Sequence, residues 1–148
     1  MKPLDLSKRP PRSCYAELDG LMLMPRTIDK LRASLPGGDT GGYFINFNGE
    51  VRGISAYLLA RLGIAEADLT AAIAAAESEE DVARWLRERV DASAYPAINA
   101  TLRRIAPRHS DDPEIFHRMY EETMAAHPEL ATVIDIVDAD DRRRFPEG

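Results

Sequence analysis

The chain has 148 residues, 45% of them apolar and 30% charged, with a net charge of -6. This composition excludes a disordered polymer and suits one domain with its own core. The negative sum argues against general affinity for phosphate backbones, so no nucleic-acid partner is expected.

The charge is uneven. Residues 1–36 carry seven Lys/Arg against four acids, a balance of +3, which leaves -9 on the other 112 residues. A basic amino-terminal segment on an acidic body is expected to dock against its own domain, with a partner or an anionic ligand as the alternatives. The one cysteine, Cys14, excludes an internal disulfide and suits a reducing compartment; with no Cys-His signature around it, it reads as a small buried hydrophobe. The start MKPLDLSKRPPRS lacks the apolar segment of a signal peptide and no run approaches membrane-spanning length, so the cytoplasm is the expected location.

In chain order, Pro3, Pro10 and Pro11 among charges predict an extended basic arm over residues 1–12. Ser13 is a candidate cap for a short helix over 13–18, with Gly20 placed to end it. Pro25 suits the first turn of a helix that Pro36-Gly37-Gly38 stops. The glycines of PGGDTGG, read as a linker or lid, open GGDTGGYFINFNGEVRG, the least helical part; residues 43–47 alternate like one short strand. From Val51 on, helix signals dominate. Val51, Ile54, Leu58 and Leu62 form a stripe closed by Gly63; 65–76 is rich in alanine; SEED at 78–81 starts a helix to about Val90. Further helices are predicted from Pro96 to about 106, from Asp112-Pro113 through Ala126, and from Pro128 onward, with Leu130, Val133, Ile134 and Val137 on one side. The end of that last helix, and the tail over 142–148, are expected to fray. The sum is an all-α single domain, residues 13–141, of six to eight helices with one irregular, strand-like insertion.

Chemical motifs are sparse. PGGDTGG lacks the GK[ST] of a phosphate loop and follows a helix where such loops follow a strand. His117 and Glu121 are spaced to share a metal, but they fall with Glu114 and Arg118 on the polar face of their helix and lack a third ligand. Asp135, Asp138, Asp140 and Asp141 miss the calcium-loop pattern and read as a charged helix end. No motif calls for a metal or a cofactor.

The helix after Pro25 offers the one candidate site. Thr27, Ile28, Leu31 and Leu35 form its buried side, and Arg26, Asp29, Lys30 and Ala33 group on the other, by default a wet face of weak ion pairs. Two features favour a site instead. Among sixteen arginines and three lysines, Lys30 is the sole lysine outside the arm, and lysine, unlike arginine, can act as a base or a nucleophile. Ala33 leaves room for another segment, for which the insertion with Tyr43, Asn46, Asn48 and Arg52 is the candidate.

The segments DLSKRPPRS, LDGLMLMPRTIDKLRASLPG, the glycine-bounded aromatic strand, LGIAEADL and IDIVDADD resemble the small bacterial family known as domain of unknown function 5069. The likeness spans nearly the whole chain. Its most specific part is PR-x-IDK-x-RA at residues 25–33, which Arg26, Asp29 and Lys30 match. The resemblance brings no activity with it, and YFINFNGEVRG stands where the family pattern implies a segment rich in tyrosine and proline.

Two classes of function follow. The favoured one is a binding module for a small anionic ligand or a protein partner, using Arg26, Asp29 and Lys30 with Tyr43, Asn46, Asn48 and Arg52. The other is a small lyase or hydrolase with Lys30 as base or nucleophile and Asp29 or Tyr43 assisting proton transfer. No membrane partner is expected, and a homodimer is left open.

Overall fold

Asp19 and Gly20 make the first turn. Both have positive φ, 55° and 86°, the backbone twist that a two-residue hairpin turn requires and that Asp-Gly adopts readily. The turn joins β1 (Glu17–Leu18) to β2 (Leu21–Met22). This corrects the short helix predicted over 13–18: Gly20 serves a hairpin, not a helix end. The computed structural model describes residues 1–47 and 51–146. Within them the chain runs on into α1 (Met24–Ala33), with Pro25 in its first turn as expected.

The insertion forms a second hairpin, β3 (Asn46–Phe47) against β4 (Val51–Arg52), with Phe47 opposite Val51 and Asn46 opposite Arg52. The strand expected over 43–47 therefore finds a partner, and Val51, expected in a helix, supplies it. Seven further helices follow among the described residues: α2 (Ile54–Leu62), α3 (Glu66–Ala75), α4 (Glu79–Arg87), α5 (Tyr95–Leu102), α6 (Pro113–Met119), α7 (Glu121–Ala126) and α8 (Val133–Arg144). The protein is mostly helical with a small strand-like insertion, as the composition and periodicity indicate.

Three boundaries differ from the sequence reading, each for a tertiary reason. The helix predicted over 113–126 breaks at Tyr120, whose φ of -115° and ψ of 21° leave the helical region; the bend accompanies a tilted stack of Phe116 on Tyr120, with ring centroids 4.7 Å apart. The last helix begins at Val133 and not at Pro128, because Thr132 caps it, accepting from the Asp135 N–H. It also continues to Arg144, into the segment expected to fray, because Asp138, Asp140 and Asp141 are buried and each is bonded to another part of the chain.

β2 and α1 lie at the centre. Every residue from Leu21 to Leu31 is buried, and Ile28 belongs to one cluster with Leu58, Leu69, Ile73, Leu102 and Ile134. Full burial of such a side chain contributes roughly 1.5–3 kcal/mol. The predicted wet face of α1 is therefore corrected. Arg26 is 1% exposed, Asp29 6% and Lys30 9%: the amino-terminal arm packs over the helix on the Asp29 side, and α8 meets Arg26 through Asp141. Leu4 N–H donates to the Arg32 carbonyl (3.3 Å), Leu6 pairs with the backbone of Asp39 (2.8 Å), and Arg12 closes on Asp29. Gly41 lets the start of the insertion press onto this arm: its φ is 59° and a Cβ there would collide with the Leu6 carbonyl. The stretch read as a linker or lid is thus packed where it leaves α1.

Asn99 of α5 ties the first hairpin down. Its side-chain oxygen accepts from the Met22 N–H (2.9 Å) and its amide donates to the Gly20 carbonyl (2.8 Å). Asn99→Ala is expected to cost about 1–3 kcal/mol in urea unfolding, because it strands a buried N–H. Asn99→Leu restores volume but no acceptor and is expected to remain destabilised; full recovery in that variant would show that packing, not the hydrogen bonds, sets the effect.

Candidate functional site

A cavity of about 590 Å3 opens between α1, the insertion and the helices α2, α5, α6 and α8. Its walls are largely apolar and aromatic, with Phe44 and Phe47 from the insertion, Tyr57 from α2, Phe116 and Met119 from α6, and Tyr120 beyond it. Polar and charged residues, among them Arg52, Arg104, His109 and Asp111, make up much of the remaining lining, and a concave site of this volume that joins aromatic surface to polar groups is suited to a small molecule.

The polar end is built by α1 and α8. Arg26 donates to both Asp141 carboxylate oxygens, at 2.6 and 3.5 Å, and to the Arg12 carbonyl at 3.2 Å. The Tyr43 hydroxyl donates to the same carboxylate at 2.7 Å, and the Tyr43 ring lies 5.5 Å from the Arg26 guanidinium and 4.7 Å from that of Arg144. Burial works against the Arg26 charge, but Cys14, the hydrogen bond and ion pair with Asp141, and Tyr43 together more than offset it and the guanidinium is held cationic. Burial pushes the Tyr43 hydroxyl above its ordinary range, and its bond to Asp141 pushes the same way. Two side-chain atoms stay unmatched: the Nε of Arg26 and the Oγ of Ser110 are buried with no hydrogen-bond partner among the described residues, and both residues line the cavity.

Lys30 stands one helical turn on, at the spacing that puts two side chains on one face. It lines the cavity and, among the described residues, its amine makes no hydrogen bond and no salt bridge. Burial and then the nearby Arg26 charge pull its ammonium down from 10.5 to about 7. A lysine in that range carries a substantial fraction of neutral amine at neutral pH, and such an amine can accept a proton or attack an electrophile.

The structure gathers some of the sequence candidates and separates others. Arg26, Lys30 and Tyr43 meet at the polar end. Arg52 lines the cavity, but its guanidinium is engaged with Asp111 at 2.9 Å. Asn46 sits in β3 outside the lining. Asn48 lies outside the described residues. Asp29 is also outside the lining: its carboxylate accepts from the Arg12 N–H (2.9 Å) and guanidinium (3.0 Å). Two groups the sequence reading left aside enter instead. Asp141 anchors the polar end, and Tyr120, its hydroxyl pushed up to about 12 by burial, lines the wall. The signal for Asp141 was present in the spacing: Ile134, Val137, Asp138 and Asp141 follow the i, i+3, i+4, i+7 pattern of a buried stripe.

Cys14 is buried beside Asp138, its thiol pushed up to about 12 by burial, so it stays a protonated hydrophobe. Among the described residues no group of three or more His, Cys, Asp or Glu is placed to hold a metal, and no helix is long and apolar enough to cross a membrane.

Residues 8–143 match the family described as Domain of unknown function (DUF5069), and the chain belongs to that family. No curated protein matches the chain.

The Lys30 amine leaves a sign in stability. Its folded value, about 7, lies below the 10.5 of an exposed lysine, so between those pH values the unfolded chain binds more protons and rising pH favours the fold. Below pH 7 the cost of burying the charge is fully present. Lys30→Met removes it. The stability advantage of this variant over the parent is expected to be largest below pH 7 and to shrink toward pH 10, with a slope of at most about 1.4 kcal/mol per pH unit. Parallel urea titrations at pH 6.5, 8 and 9.5 measure it; a gap constant with pH would mean that Lys30 titrates normally.

Proposed function

We propose that this chain is a cytoplasmic binding protein for a small organic anion with an apolar body. The anionic group would sit at Arg26 and Lys30, and the body against Phe44, Tyr57 and Phe116. One observation carries the reading: the Arg26 Nε and the Lys30 amine, two cationic donors one helical turn apart, both lack a partner among the described residues beside a cavity otherwise rich in aromatic surface. A buried donor without an acceptor costs about 1–3 kcal/mol, a cost an anion would relieve at the Arg26 Nε while also pairing with the Lys30 amine. The apolar wall argues against inorganic phosphate or sulfate as the whole ligand, since neither would displace water from it. Protein partners fit less well, because the unsatisfied groups lie inside a cavity and not on an open face.

A second reading, a small enzyme with Lys30 as base or nucleophile, draws support from the lowered Lys30 value. Asp29 is tied to Arg12 in this arrangement, so the group nearest for proton transfer would be Tyr43 or Tyr120.

An aromatic carboxylate such as 3-phenylpropanoate tests the binding reading by protein-observed NMR. Resonances of Phe44, Tyr57 and Phe116 are expected to shift, and the uncharged amide of the same acid to bind roughly ten-fold or more weakly for want of its charge-assisted bonds. Affinity is expected to fall from pH 6 to pH 9 as Lys30 loses its proton. Equal binding of acid and amide, or none at millimolar concentration, would overturn it.

A further inference from the structure

The geometry points to a covalent role for the same pair: we propose that the cavity captures 2-oxo acids with a large apolar substituent, the Arg26 Nε–H holding the carboxylate while the Lys30 amine forms an imine with the adjacent carbonyl carbon. The inference rests on the binding reading above and narrows it to one class of ligand.

Three observations carry it. First, the Arg26 Nε and the Lys30 amine, neither with a hydrogen-bond partner among the described residues, belong to residues at i and i+4 on α1, where side chains are neighbours. A 2-oxo acid carries its carboxylate and its electrophilic carbon on adjacent atoms, so one small headgroup satisfies both. Second, the remaining volume, with Phe44, Tyr57, Phe116 and Met119 in its walls, is far more than a two- or three-carbon acid would fill. Third, burial beside a second cation keeps part of the Lys30 population neutral, which attack requires. The other cation at this end, Arg144, stacks on Tyr43 and donates to the Gly41 carbonyl at 3.1 Å, so it is already engaged.

The chemistry balances without an oxidant or a cofactor. The amine nitrogen lone pair forms a C–N bond to the carbonyl carbon and the C=O π pair moves onto oxygen. Two protons from nitrogen leave with that oxygen as one water, and a C=N bond remains. Tyr120, which lines the cavity and whose hydroxyl makes no hydrogen bond among the described residues, can relay one of those two protons, giving its own to the departing oxygen and taking the replacement from nitrogen.

The chain supplies its own controls, since Lys2 and Lys8 are its only other lysines and both are exposed in the arm. The intact protein is incubated at pH 7 with phenylpyruvate and sodium cyanoborohydride, and adducts are located by intact mass and peptide mapping. The expected result is a single secondary-amine adduct at Lys30, on the order of ten-fold or more above Lys2 and Lys8, suppressed by excess 3-phenylpropanoate. Pyruvate is expected to react more slowly than phenylpyruvate. Adduct spread evenly over the three lysines, or none at Lys30 while 3-phenylpropanoate still binds, would overturn the imine and leave the binding reading intact. No adduct and no binding of either acid would overturn both. Competition on the unaltered protein makes the test independent of how well Lys30→Met folds.

Discussion

The Arg26–Asp141 ion pair is the constraint around which the rest of the molecule is arranged. Its two side chains are 2% and 9% exposed, and charges taken that far out of water are costly unless each is matched. Several segments share in the matching. Asp141 also accepts from Tyr43 of the insertion, and Arg26 also donates to the Arg12 carbonyl of the arm. Parts of the chain 115 positions apart are thereby held in one register, and loss of either partner would leave a buried charge alone, a change of about 3–5 kcal/mol.

That pair also defines the chemistry available beside it. Asp141 spends its oxygens on Arg26 and Tyr43, so among the described residues Lys30 gains no carboxylate within salt-bridge reach and instead meets the Arg26 charge across one turn of α1. Desolvation and like-charge repulsion then act in the same direction. A cation balanced by an acid and a lysine denied one are two outcomes of a single arrangement, and both open on the cavity that the insertion helps to wall.

α8 carries the acids that organise its surroundings. Asp138 accepts from the Cys14 N–H, Asp140 from the Thr123 hydroxyl, and Asp141 from Arg26, so three neighbouring carboxylates hold the start of the hairpin region, α7 and α1 in turn. Read by composition alone, IDIVDADD is a charged helix end; read by spacing, two of its acids follow the apolar stripe of Ile134 and Val137. The same holds for α1, whose Arg26, Asp29, Lys30 and Ala33 share one face. A helical wheel sorts residues relative to one axis and assumes a single buried side, and it fails for a helix enclosed on both.

What the sequence determined by itself was local. Proline and glycine positions placed α1, the end of α2 and the start of α6, because those residues restrict or free the backbone wherever the chain goes; alanine content and apolar periodicity made the protein mostly helical; and the scarcity of lysine singled out Lys30 before any neighbour was known. The tertiary structure alone decided what surrounds it. That the arm covers Asp29, that Asp141 returns from more than a hundred residues away, and that Phe44, Tyr57, Phe116 and Tyr120 close one cavity all depend on long-range packing. Burial, which turns an ordinary lysine into one titrating near 7, is a property of that packing and of no segment taken alone.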